Sequence, residues 1–91
     1  MTENLEMRKE VVDFAQFMEK VLRDNDYKSS WKDMTVWDIF ARLQEEVEEL
    51  RHALRFPSVD WQNVQKECVD VANFAMMLAD VIDITSKREN G

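Results

Sequence analysis

The residues best suited to chemistry in this chain are acids set three apart on two segments. One segment reads EEVEEL and holds Glu45, Glu46, Glu48 and Glu49; the other reads ECVD and holds Glu67 and Asp70. A run of glutamates on a helix is ordinarily a solvated face. At about 100° per residue, however, the apolar positions Val36, Phe40, Leu43, Val47, Leu50 and Leu54 set an inward direction. Glu45 and Glu48 then point to solvent. Glu46 lies beside Ile39, Leu43, Leu50 and Ala53, with Glu49 one step further round. On the other segment Glu67 falls inside the stripe Val64, Val71, Phe74, Ala75, Leu78, and Asp70 flanks it. Spacing of three puts each pair on one helix face. Two such helices packed antiparallel bring four carboxylates to one place, where lost hydration and mutual repulsion demand a positive charge. Arg42 can reach Glu46 at i,i+4, and no Lys or Arg is interleaved within either pair. A hard divalent cation is the expected remedy; Mg²⁺ takes oxygen ligands and keeps waters that substrate phosphates can replace. Acids that are merely solvated or satisfied are the alternative.

The elements that must position these acids are helices. The chain has 91 residues, 45% apolar and 34% charged, with one Gly and one Pro. That length suits one domain, 1–91. The scarcity of Gly and Pro excludes turn-rich β folds and Gly-loop nucleotide folds. The spacing Val11, Phe14, Ala15, Met18, Val21, Leu22 predicts a first helix over 4–24, ended by the polar stretch 24–30. Thr35, with Asp38 three residues on, caps a second helix whose 3–4 seam predicts packing on other helices, and Pro57 closes it. Ser58 or Asp60 caps a third helix running to Ser86, with a polar tail that frays. Its middle, CVDVANFAMMLADVIDI, is apolar in nearly every direction, which calls for burial on all sides. Two other helices cannot provide that, so a homodimer or homotetramer is expected. The fold class is all-α: an antiparallel bundle of three main helices completed by oligomerisation.

Composition narrows the partners. Twelve Lys plus Arg against nineteen Asp plus Glu give a net charge of −7, which argues against a nucleic-acid partner. No uncharged apolar stretch approaches the roughly 18 residues of a membrane helix. The opening MTENLEMRKE lacks the basic and apolar regions of a signal peptide. One cysteine, Cys68, forms neither an internal disulfide nor a Cys-based zinc site; it reads as a small core residue in a reducing cytoplasm.

The pattern E-x-x-E on one helix, then E-x-x-D after the intervening residues 50–66, resembles the all-α nucleoside triphosphate pyrophosphohydrolases. These are the MazG-like proteins, with dimeric dUTPases and phosphoribosyl-ATP pyrophosphohydrolases as relatives. The matching residues are Glu46, Glu49, Glu67 and Asp70, within EVEEL and ECVDVANFA, and the likeness covers about 10–85. The resemblance implies that the four acids hold Mg²⁺, or Mn²⁺ in its place. It further implies that the metal binds a nucleoside triphosphate and that an activated water attacks the α-phosphorus, giving a monophosphate and pyrophosphate. Glu46 or Glu49 would serve as base. Asn73, one step beyond Asp70, would assist metal or substrate, the alternative being a plain polar interface position. Lys28 and Lys32 would pair with phosphate oxygens and Trp31 would stack on the base. The alternative makes the lysines surface charges and Trp31 and Trp37 core aromatics. Trp61 reads as a packing residue at a helix start and His52 as solvated. Longer family members add a helix that supplies basic or amide groups to the phosphates. Here only Lys87 and Arg88 follow, so a second subunit is the expected source of that clamp. The competing function is a non-catalytic helical oligomerisation or nucleotide-binding module of the same fold.

Overall fold

In the computed structural model, which describes residues 5–25 and 30–90, the elements are α1 (Lys9–Asp24), a 3₁₀ turn (Trp31–Asp33), α2 (Val36–Ala53) and α3 (Trp61–Asn90). The caps are those their residue types favour. Thr35 Oγ1 accepts from Asp38 N at 3.1 Å, and Asp60 Oδ1 accepts from Gln62 N at 3.1 Å and Asn63 N at 3.3 Å. Each satisfies amides that the first helical turn leaves open. α2 ends at Ala53, ahead of Pro57. α1 begins at Lys9, later than its apolar pattern suggests, and Leu5 lies outside it, 76% exposed. α3 runs past Ser86 to Asn90, so residues 87–90 are helical, and its last turns carry a Lys87–Asp83 pair at 3.0 Å and basic residues that suit the negative end of the helix.

α3 is the hub on which α2, α1 and the 3₁₀ turn all pack. The α2–α3 pair is antiparallel: Glu49 meets Glu67, and one to two turns back along α2, Arg42 meets Phe74 further along α3. The buried apolar residues are Ile39 on α2 and Val64, Val69 and Val81 on α3.

The inward face of α2 differs from the expected seam. Ile39 and Glu46, seven residues apart, are the buried positions, while Phe40, Val47 and Leu54 are each more than two-fifths exposed. The helix carries two apolar stripes, and the one holding Phe40, Val47 and Leu54 faces away from α3. α1 has no fully buried residue. Its Met18, Val21 and Leu22 are half-buried, and Val11, Phe14 and Phe17 are exposed. α3, apolar all round, also leaves Ile82 half exposed. The radius of gyration is 15.3 Å, against about 12 Å for a compact chain of this length. No described helix is long and apolar enough to cross a membrane.

Candidate functional site

Glu46 and Glu49 on α2 and Glu67 on α3 each offer a carboxylate oxygen, and these atoms lie within 4.8 Å of one another. The helix phase that buries Ile39 also buries Glu46, one of two buried polar side chains among the described residues. Glu49 is exposed at the edge and Glu67 is half-buried. Asp70 stands beside this trio. Its carboxylate accepts from Lys66 Nζ at 3.0 Å, so a lysine one turn away on α3 already compensates the fourth acid. Glu45 and Glu48 are solvated, as their phase requires, and pair with Arg42 and Arg51.

The electrostatics follow from burial. Glu46 is pushed up to about 7, first by burial, then by its hydrogen bond with Glu49 and the charges of Glu49 and Asp70; Arg42 opposes this. Glu67 is raised by burial and by Asp70 and Glu49, with Lys66 opposing. A low-dielectric site with neighbouring carboxylates favours the protonated form. Among the described residues, two buried oxygens also lack any hydrogen-bond partner: Glu67 Oε1 and Asn73 Oδ1. Asn73 is 2% exposed, and its Nδ2 donates to the Met18 carbonyl at 3.3 Å, which ties α3 to α1 and leaves the oxygen without a donor. Leaving such a group unmet costs about 1–3 kcal/mol. An all-oxygen set of clustered, undercompensated acids is the donor chemistry of a hard divalent cation.

Glu46, Glu49 and Asp70 form one wall of a cavity of about 560 Å³, while Glu67 lines a neighbouring open groove with Glu49 and His52. Glu46, Glu49, Lys66, Asp70 and Asn73 line its polar end, and Trp31, Met34, Phe74 and Met77 its apolar end, with Arg42 between. That volume is within the range of small-molecule sites. Trp31 is fixed there because its Nε1 donates to Asp80 Oδ2 at 3.0 Å. Lys32 Nζ donates to the same oxygen at 2.8 Å, and together the two bonds hold the Asp80 carboxyl below its usual range.

The expected site residues therefore divide. Glu46, Glu49 and Glu67 converge, and Glu46, Glu49, Asp70, Asn73 and Trp31 line one cavity. Lys32 is engaged by Asp80, not free for a phosphate. Lys28 lies outside the described residues. Trp37 is not a core aromatic, being 77% exposed, and Trp61, the first residue of α3, is 61% exposed. His52 is exposed and Cys68 only half-buried. Sequence reasoning missed Lys66 and Asp80. The i,i+4 spacing of Lys66 and Asp70 was an available signal for the first; no local signal joins Asp80 to residues 49 and 48 positions earlier.

An uncharacterized protein of Archaeoglobus fulgidus is 34% identical to this chain over 77 residues, spanning 85% of this chain and 81% of the relative. The two proteins belong to one family. No family model matches the chain, and no solved structure matches it.

Proposed function

We propose that this protein is a MazG-like, divalent-cation-dependent pyrophosphohydrolase that cleaves a nucleoside triphosphate to its monophosphate and pyrophosphate. The observation that carries the reading is the convergence of three carboxylates from two helices, two of which, Glu46 and Glu49, also line a cavity walled by Trp31 and Phe74. Glu46, Glu49 and Glu67 would hold the cation, with Asp70 joining them when Lys66 releases it. Bound there, Mg²⁺ (or Mn²⁺) supplies neutralisation of phosphate charge and polarisation of the centre under attack. The chain's own contribution is distinct. Trp31, fixed by Asp80, offers a flat face on which a base can stack. Asn73 Oδ1 offers a buried acceptor to a ligand or to its coordinated water. Burial of Glu46 keeps bulk water from one side of the cluster. Glu46, pushed up to about 7, can take the proton of an attacking water on a carboxylate oxygen.

The same reading includes a second copy of the chain and a cytoplasmic setting. The uncovered stripes Val11/Phe14/Phe17 and Phe40/Val47/Leu54 support a homodimer or homotetramer, and the free thiol of Cys68 is consistent with a reducing compartment. One observation favours the competing module without turnover: the Lys66–Asp70 pair satisfies one acid with no cation at all. Measuring pyrophosphate release across a panel of nucleoside triphosphates separates the two. Release by the wild type and its loss in Glu49→Ala and Asp70→Ala supports the enzyme. Release that survives both substitutions, or none from any nucleotide, defeats it.

A further inference from the structure

Three acids, Glu46, Glu49 and Asp70, line the cavity, and one cation on its wall forms no ion pair with any of them. Two described basic residues line it, Arg42 and Lys66. Lys66 is engaged by Asp70 at 3.0 Å. Arg42 has only a long 3.5 Å ion pair, from Nε to the solvated Glu45, and makes no side-chain hydrogen bond among the described residues. An exposed pair of that length is worth little. What holds Arg42 in place is Phe74. Its guanidinium carbon lies 5.1 Å from the ring centroid, so the planar fork is supported across the α2–α3 groove while its terminal Nη donors have no partner among the described residues.

Its position along the groove matters as much. α2 and α3 run antiparallel, with Glu49 at the level of Glu67 and Arg42 at the level of Phe74. Arg42 is therefore one helical turn from Glu46, displaced toward the apolar end. An anion anchored at the acids and continued by an apolar ring at Trp31 must pass Arg42.

We propose that Arg42 binds the non-bridging oxygens of a phosphate chain lying in this cavity, supplying from within the chain the clamp that the acid cluster does not provide. The inference rests on the nucleotide reading above and deepens it by assigning the phosphate contact to one residue. The fork geometry matches phosphate oxygens in a way a lysine does not.

The test is calorimetric titration of inorganic tripolyphosphate into the full chain with excess Mg²⁺, at about pH 8.5, where a carboxyl near 7 is ionised in every variant. Arg42→Gln should weaken binding about ten- to hundredfold, the value of hydrogen bonds between charged groups. Arg42→Lys should fall between the two, and Arg88→Gln, at the far end of α3, should match the wild type. Mg²⁺ titrated alone should bind wild type and Arg42→Gln equally, with unchanged helical content. Tripolyphosphate affinity within about twofold of wild type in Arg42→Gln, or no binding by the wild type, overturns the assignment. So does an equal loss of Mg²⁺ affinity, because Arg42 would then act only through Glu46. If the arginine dependence holds while no nucleotide is cleaved, the anion site stands and the hydrolase reading falls, so the two failures are distinguishable.

Discussion

Replacing Glu46 by glutamine should make the protein more stable at alkaline pH in the absence of divalent cations. Glu46 is 7% exposed and its pKa is pushed from 4.5 to about 7, chiefly by burial. The folded state thus binds a proton more tightly than the unfolded state between those values. By linkage the wild type loses stability as pH rises from about 4.5 to about 7, and the full cost is present above 7. At 1.36 kcal/mol per unit, a rise of about 2.5 units amounts to about 3 kcal/mol. Glutamine keeps the shape and removes the charge. In urea titrations with EDTA and fixed protein concentration, Glu46→Gln should exceed the wild type by about 2–3 kcal/mol at pH 8. The gap should shrink toward zero near pH 4.5. For a chain of this size that is a Tm difference of about 10 °C or more. A solvated glutamate would show no gap at either pH. Equal stability at pH 8, or a gap that does not change with pH, would refute the argument that burial and the neighbouring acids set this group's proton affinity.

The remaining predictions concern the cation, the aromatic wall and the uncovered face. Millimolar Mg²⁺ or Mn²⁺ should stabilise the wild type, by about 2.7 kcal/mol at a hundredfold excess over Kd, and so raise its melting midpoint, and Glu67→Ala should abolish the rise. A midpoint that ignores both ions would remove the cation site. Asp80→Asn keeps an oxygen for Trp31 Nε1 but loses the Lys32 ion pair, so the wall should loosen: KM for a cleaved nucleotide should rise more than kcat falls, alongside a change in tryptophan fluorescence. An unchanged KM would show that Trp31 does not depend on Asp80. Val47→Glu, placed on the uncovered stripe of α2, should reduce the particle mass seen by light scattering without loss of helical circular dichroism. An unaltered mass would place the interface elsewhere.

Much of this architecture was legible from local signals. Thr35 and Asp60 announce helix starts because their oxygens meet open amides. The three-residue spacing of Glu46 with Glu49, and the phase of Glu67, announced a convergence of acids. The seam of α2 was misjudged for a physical reason. Periodicity reports that a stripe is apolar but not what covers it, and α2 has two: Ile39 with Leu43 and Leu50 toward α3, and Phe40 with Val47 and Leu54 away from it. With the helix rotated accordingly, Glu46 moves from the edge of the interface into it, which is why it is buried and its proton affinity raised. Trp37 misleads in the same way, since a large aromatic on an uncovered face carries the composition of a core. The links from Trp31 and Lys32 to Asp80 join residues far apart in the chain, and no spacing rule foretells them.

The central claim, that the acid cluster directs cleavage of a nucleotide between its α- and β-phosphates, is tested most directly by the ³¹P spectrum of a nucleoside triphosphate incubated with the protein and Mg²⁺. The account predicts resonances of the monophosphate and pyrophosphate, absent when EDTA is added or when Glu49→Ala replaces the wild type. A diphosphate with orthophosphate, or the same products from Glu49→Ala, would contradict it.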